Sequence, residues 1–221
     1  LSDKEMQSFA GKDSTIGRMS AAEYKDSIRN VQREFKFKHL LFGKTYIYKE
    51  DSSKFNSRFS IPGLLKLASW SYNTVDGLRY EMEFGYTLSD TLGHKLNLGA
   101  KFAYAFHRVN FDGDLSLAYT FNPFNQSLIK LSGGHITLDY GSGMPVFLNT
   151  IYTLLFEENH KKFYQADYFK VLHSREIING FWFRGSLEYV KRYPLQNNTD
   201  FTFINWKDKE FTQNIPRSEE H

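Results

Sequence analysis

Two stretches of this chain alternate apolar and polar residues with period two. In 78–88, Leu78, Tyr80, Met82, Phe84, Tyr86 and Leu88 are apolar, and Arg79, Glu81, Glu83, Gly85 and Thr87 between them are polar or small. In 95–106, Leu96, Leu98, Ala100, Phe102, Tyr104 and Phe106 alternate with Lys95, Asn97, Gly99, Lys101, Ala103 and Ala105. Successive strand side chains point to opposite faces, so each stretch predicts a strand with one apolar and one polar face. An eleven-residue strand tilted by about 40° rises roughly 25–28 Å, the height of the apolar band of an outer-membrane β-barrel. Average soluble strands are about half that length.

Weaker alternation continues on both sides. Phe35–Tyr48 holds short period-two pieces, and Phe55–Leu67 is a strand candidate broken by Pro62-Gly63. Asp114–Phe121 sets Leu115, Leu117, Tyr119 and Phe121 against Asp114, Ser116, Ala118 and Thr120. The turn before it falls at His107–Asn110 or at Asp112-Gly113, the latter a type I′ hairpin signal. In Leu128–Tyr140 the apolar phase switches from Ile129 and Leu131 to Ile136, Leu138 and Tyr140, and Gly133-Gly134 at the switch predicts a bulge. Residues 146–170 read as helical turns through Leu148, Ile151, Tyr152, Leu155, Phe156, Phe163 and Tyr164. Phe181–Tyr189 alternates again, and Thr199–Trp206 reads as a further short strand. Before the strands, Ser20-Ala21-Ala22-Glu23 forms a capping box, opening a helix with Tyr24, Ile28, Val31 and Phe35 on one stripe.

The prediction is therefore a mainly all-β chain. It is an antiparallel up-and-down transmembrane β-barrel segment of about eight or nine strands, with a short N-terminal helix and a helical insertion near 146–170. Residues 1–34 form a polar segment with the amphipathic helix, 35–216 the barrel part, and 217–221 a frayed tail.

Composition narrows the chemistry. There is no cysteine in the 221 residues, which removes disulfides, thiolate metal sites and cysteine nucleophiles from this chain. The net charge of +3 is spread along the sequence, without the clustered basic footprint of a nucleic-acid binder. Aromatics are abundant, with 21 Phe, 14 Tyr and 3 Trp, which suits strands and interfacial girdles. No run of 18 apolar residues predicts a membrane-crossing helix. The mean hydropathy of −0.51 fits a barrel, whose lumen positions are polar at every second residue.

Candidate catalytic and metal motifs read better as structure. Glu157-x-x-His160 has the spacing used in di-metal bundles, which need two such motifs and two further Glu. Asp112-Gly113-Asp114 offers carboxylates but no closing calcium ligands, and reads as a turn. Ser132-Gly133-Gly134-His135 lacks the ending of a phosphate loop. Gly141-Ser142-Gly143 lacks the spacing of a nucleophile elbow. His107, His135 and His173 would serve an outer-membrane hydrolase only if folding gathered them. No catalytic residue, metal or cofactor is assigned. If the apolar faces meet lipid, Arg79, Glu81, Glu83, Lys95, Lys101, Arg184 and Glu188 face the lumen, paired or hydrated. The Tyr72–Leu78 turn is the other segment expected to matter, in a positional role.

Several segments resemble one family. They are Tyr72-Asn73-Thr74-Val75-Asp76-Gly77-Leu78, Asn149-Thr150-Ile151-Tyr152-Thr153-Leu154-Leu155 with Glu157–Tyr168 after it, and Glu176-Ile177-Ile178-Asn179-Gly180. Leu187-Glu188-Tyr189 through Asp200 and Phe211-Thr212-Gln213-Asn214-Ile215-Pro216 complete the set. Together, over roughly residues 20–216, the chain resembles a Bacteroidota outer-membrane family with an N-terminal carboxypeptidase-like regulatory domain followed by a β-barrel domain of unknown function. The resemblance implies an outer-membrane barrel with no established reaction. This chain would be the linker helix and first part of the barrel.

The leading expectation is thus an outer-membrane β-barrel segment with a structural, transport or envelope-assembly role and no catalysis. Its partners would be outer-membrane lipid and other outer-membrane or periplasmic envelope proteins, not nucleic acid. The alternative is a soluble lipocalin-like β-barrel that holds an apolar ligand inside.

Overall fold

The alternating stretches become strands of one antiparallel sheet in the computed structural model, which describes residues 35–49, 55–141, 143–206 and 209–215. The chain divides into units 1–36 and 37–221, and the sheet belongs to the second. Its elements are α1 (Phe37–Phe42), β1 (Lys44–Lys49), β2 (Phe55–Ile61), a short 3-10 turn (Leu67–Ser69) and β3 (Trp70–Asn73). They continue as β4 (Gly77–Asp90), β5 (Lys95–Ala105), β6 (Asn110–Asn122) and β7 (Ser127–Asp139). Helix α2 (Val146–Phe156), β8 (Phe163–Ile178) and β9 (Phe181–Pro194) complete the set. The helix expected from Ser20 lies outside the described residues.

The strands meander in the order β1-β2-β4-β5-β6-β7-β8-β9, with β3 on β4. Among the described residues this makes a nine-stranded sheet that is not closed, with β1 and β9 at its edges. β2 and β3 share one edge of β4: β2 pairs Gly85–Asp90 and β3 pairs Gly77–Tyr80. The chain leaves the sheet between them at Pro62-Gly63, where proline cannot donate to a ladder.

The register aligns the two faces across the strands. One row runs Tyr46, Phe59, Tyr86, Leu98, Leu117, Leu131, Val171, Leu187, an apolar residue from each of eight strands. The adjacent row, on the opposite face, runs Thr45, Ser60, Gly85, Gly99, Ser116, Ser132, Lys170, Glu188. Directly opposed residues on antiparallel strands share a face, so the apolar and polar surfaces continue from strand to strand.

Four local expectations are corrected. The turn before β6 covers 106–109, so Asp112-Gly113 is strand and not turn. The ladders pass through Gly133 and Gly134 without a register shift, and the irregularity lies at Thr120/Asn122. Glycine is needed at 134 because a Cβ there would overlap the Gly113 carbonyl on the next strand. The helical reading of 146–170 holds only to Phe156. From Phe163 onward the chain is β8, where aromatic and apolar residues fill both phases and hide the period. Thr199–Trp206 is irregular, because its amides bond other segments. Thr199 donates to the Thr74 carbonyl and Phe203 to the Leu154 carbonyl.

Burial is concentrated at the end of the sheet where β4 and β8 begin and β5, β7 and β9 finish. The largest fully buried side chains are Val75, Asn149, Thr74, Thr153, Asp76 and Ser127, and all but Ser127 lie at this end.

Candidate functional site

The 73–76 loop organises this buried end. Asn73 Oδ1 accepts the amides of Val75 and Asp76, each at 2.8 Å, an Asx-type turn. Gly77 then takes φ 65°, a left-handed conformation that suits glycine, and a Cβ there would overlap the His107 ring. The loop thereby reverses the chain from β3 into β4 and aims Asp76 inward.

Asp76 is fully buried and bridges two guanidinium groups. Arg108 Nε donates to its Oδ1 at 2.9 Å and Arg79 Nη1 to its Oδ2 at 3.1 Å. Arg79 also pairs with Asp112 Oδ2 at 2.6 Å. The Asp112 carboxylate accepts the Thr137 amide at 3.0 Å, Gln165 Nε2 at 3.0 Å and Asn110 Nδ2 at 2.8 Å. Arg108 completes the ring through Gln165 Oε1 and through Thr137 Oγ1 at 2.5 Å. Two carboxylates and two guanidiniums are therefore buried together with zero net charge. Each is multiply hydrogen-bonded, as buried charges require. The β6–β7 ladder ends at Gly113↔His135, and the Asp112 carboxylate takes the Thr137 amide just beyond it.

A second, neutral network is joined to the first by Thr74. Its hydroxyl donates to Asn197 at 2.8 Å and accepts from Asn159 at 2.6 Å. Asn149 of α2 donates to Asn159 at 2.9 Å and accepts the amides of His160 and Lys161 at 3.0 and 2.9 Å. Asn198 closes over the loop by donating to the carbonyls of Thr74 and Val75, each at 2.8 Å. Asn214 grips Phe163 through both its amide and carbonyl, each at 2.7 Å. Outside this core, Glu158 accepts from Lys209 Nζ at 2.6 Å, and that ammonium holds the Glu158 carboxyl below its ordinary range. The donors and acceptors serve one another, and the arrangement clamps four chain segments to the end of the sheet.

The sheet register puts Arg79, Glu81, Glu83, Lys95, Lys101, Arg184 and Glu188 on one face. Arg79 enters the buried cluster. Glu81 pairs with Lys101 at 2.9 Å and Glu188 with Lys170 at 2.8 Å. On the same face Tyr168 donates to Asp114 at 2.5 Å. Glu83, Lys95 and Arg184 have no ion pair among the described residues. The histidines are not gathered. Along the β7–β8 ladder His135 faces Asp167 and His173 faces Ile129, six register positions or roughly 20 Å apart. Glu157 and His160 also separate. Glu157 caps α2 in a left-handed conformation and accepts the Trp206 amide at 3.0 Å, while His160 contacts Glu158. No group of three or more metal-ligating side chains occurs among the described residues.

Arg108 and Thr137 escape a reading of the sequence, and Asn149, Asn159 and Gln165 stand in segments that carry the family resemblance without any role being assigned to them. Their side-chain hydrogen-bond partners lie 10 to 85 residues away, which no period marks. Of the positions expected to matter, the Tyr72–Leu78 segment carried the local signal.

Against known proteins, the sequence model of a family of unknown function, the DUF5686 C-terminal domain, matches residues 37–221. No curated protein and no solved structure matches the chain significantly.

Proposed function

Since the chain belongs to the DUF5686 C-terminal domain family, for which no function is known, we propose that it forms part of the wall of a bacterial outer-membrane β-barrel. The observation that carries this reading is the apolar row crossing eight strands from Tyr46 to Leu187. Leu98, Leu115, Phe169, Leu187 and Tyr189 on that face are exposed. Eight strands at roughly 4.8 Å spacing give a face over 30 Å wide, far beyond the apolar patches of soluble monomers. Its height fits as well. Tyr80 to Leu88 and Phe111 to Phe121 span eight and ten residue steps, about 27–34 Å along the strands, and an outer-membrane barrel carries an apolar band of about 25 Å.

On this reading the seven charged residues face a polar lumen, where the Glu81–Lys101 and Glu188–Lys170 pairs sit in a wet or plugged interior. The buried end cluster caps that interior. The open β9 edge cannot stay bare in lipid, because unpaired backbone groups there are too costly. Further strands therefore complete the barrel, in keeping with a longer Bacteroidota protein that also carries a carboxypeptidase-like regulatory domain. The role is structural, transport-related or concerned with envelope assembly, without catalysis or cofactor. Lipid and other envelope proteins are its partners.

The test is peptide mass spectrometry on density-separated membranes of the source cell. Peptides of this chain in the outer-membrane fraction are expected, from a polypeptide larger than 25.9 kDa. Peptides confined to the soluble fraction would overturn the proposal and favour the lipocalin-like barrel, with the same apolar face turned inward.

A further inference from the structure

One ladder row on the apolar face changes character along its length. It runs Met82, Phe102, Gly113, His135, Asp167, Lys191. On β4 to β6 it is apolar or small. On β7 to β9 it is charged: His135 Nδ1 meets Asp167 Oδ1 at 2.5 Å, and Tyr193 donates to Asp167 Oδ2 at 2.8 Å. Lys191 Nζ lies over the Tyr193 ring at 5.0 Å. His135 and Asp167 are both nearly half exposed. A charged cluster this open is out of place in hydrocarbon.

The limits of the apolar run explain the change. On β4 the run is Leu78, Tyr80, Met82, Phe84, Tyr86, Leu88, ending before Asp90. On β9 it is Tyr189, Leu187, Gly185, Phe183, Phe181. Through the ladders Tyr189 shares a row with Phe84, and Gly185 shares one with Leu88. The β9 run therefore starts six residues later than the β4 run and ends four residues later. Both limits move the same way. Near the upper limit β8 carries two polar residues: His173, in the row of Leu88 and Gly185, is held on the Leu128 carbonyl at 3.1 Å, and Arg175 stands beside Phe183, where a long stem can carry its charge outward. Four to six residues are about 14–20 Å along a strand, and the five steps from β4 to β9 are about 24 Å across the sheet, a slope of about 30–40°.

We propose that the bilayer crosses this sheet obliquely, with its boundary about 30–40° off the ladder rows, so that His135, Asp167, Lys191 and Tyr193 sit at headgroup level while Met82 and Phe102 in the same row as His135, Asp167 and Lys191 sit in hydrocarbon. This rests on the membrane reading above and adds the strand tilt, close to the roughly 35–45° of closed membrane barrels. Trp70, Tyr80, Tyr104 and Phe106 then form the aromatic girdle on β3 to β5, where Trp70 and Tyr80 rings lie 4.5 Å apart and Tyr104 and Phe106 rings 5.0 Å apart. Lys191 and Tyr193 take the same level on β9.

These 221 residues have no cysteine, so once any cysteine outside them is replaced by serine a single introduced cysteine carries one spin label. The full-length native polypeptide would be reconstituted in phosphatidylethanolamine–phosphatidylglycerol vesicles. Accessibility to oxygen and to an aqueous nickel chelate then reports depth. Met82→Cys and Lys191→Cys form the first pair, Phe102→Cys and His135→Cys the second should a member of the first fail to fold. The β4 and β5 sites are expected to favour oxygen and the β7 and β9 sites the nickel chelate, a reversal of relative accessibility within one ladder row. Equal depth within a row, or the opposite order, overturns the oblique boundary while Leu98→Cys remains in lipid. Nickel access at Leu98→Cys as well as at every row position overturns the membrane reading itself.

Discussion

The wall of the sheet and its buried end are built on opposite principles. In the wall, apolar side chains are exposed, Leu187 to 80%, and Leu115 to 60%. At the end, the buried side chains are mostly polar, with Asp76 and Thr74 at 0%. A soluble domain does the reverse, burying apolar groups and wetting polar ones. The wall is held by ladder hydrogen bonds, and on the proposed reading its apolar face meets lipid. The end carries its own polar partners and needs no outside medium. The difference teaches that this chain is specified by polar geometry at one place and by period-two patterning elsewhere.

The sharpest way to break the comparison is to remove one charge from the end. Asp76→Ala leaves Arg79 and Arg108 short of a buried partner, and breaking such a pair costs about 3–5 kcal/mol. A large fall in the urea-unfolding midpoint of the reconstituted protein is expected, and a change as small as at a surface position would show that the end is not specified by its charges. Next, the wall should discriminate by face. Leu98→Arg in a bilayer should cost about 2–4 kcal/mol, whereas Asn97→Arg, one residue away on the polar face, should stay within about 0.5 kcal/mol. Equal costs would remove the distinction between the faces.

Asn149→Ala should fall below these. It strands the amides of His160 and Lys161, at about 1–3 kcal/mol, and the loss should appear as faster hydrogen exchange at those two amides. Tyr80 offers a change of opposite sign. Among the described residues its buried hydroxyl has no hydrogen-bond partner, so Tyr80→Phe should be neutral or stabilising by up to about 1 kcal/mol in the same unfolding assay. A marked loss there would mean that the hydroxyl has a partner in the membrane.

The smallest effect concerns pH. Lys209 lowers the folded-state pKa of Glu158, so the stabilisation is present above the ordinary Glu range and fades as pH falls through that range to the lowered value. The contact is on the surface and its effect is local. Fluorescence of Trp206, whose carbonyl accepts the Lys209 amide at 2.8 Å, should shift on acidification in the native chain and not in Glu158→Gln. The same shift in both would detach it from this contact.

The strands of the wall were legible where one face is apolar and the other polar. β4, β5 and β6 read directly, and the register puts the seven predicted charges on a common face. β8 was not legible, because Phe163, Tyr164, Tyr168 and Phe169 fill both phases and mimic a helical stripe. Thr199–Trp206 misled in the other direction: its alternation suits a strand, but its amides found carbonyls on the 74 loop and α2. Asp112 was visible as an acidic residue beside glycine. Its pairing with Arg79 was not, since the two are 33 residues apart and meet only when three strands have aligned.

By itself the sequence determined which residues share a face, because side-chain period two is a local property of an extended backbone. It also determined the place of the break at Pro62-Gly63 and the reversal at Asn73–Gly77, which follow from backbone chemistry of single residues. The tertiary structure alone decided the order and register of the strands, the ring of Asp76, Arg79, Arg108 and Asp112, and which apolar residues of distant strands share a row. Those depend on where distant strands align. Hydrogen bonds and ion pairs act over only a few ångströms, so no local pattern can encode which distant residue will supply the partner.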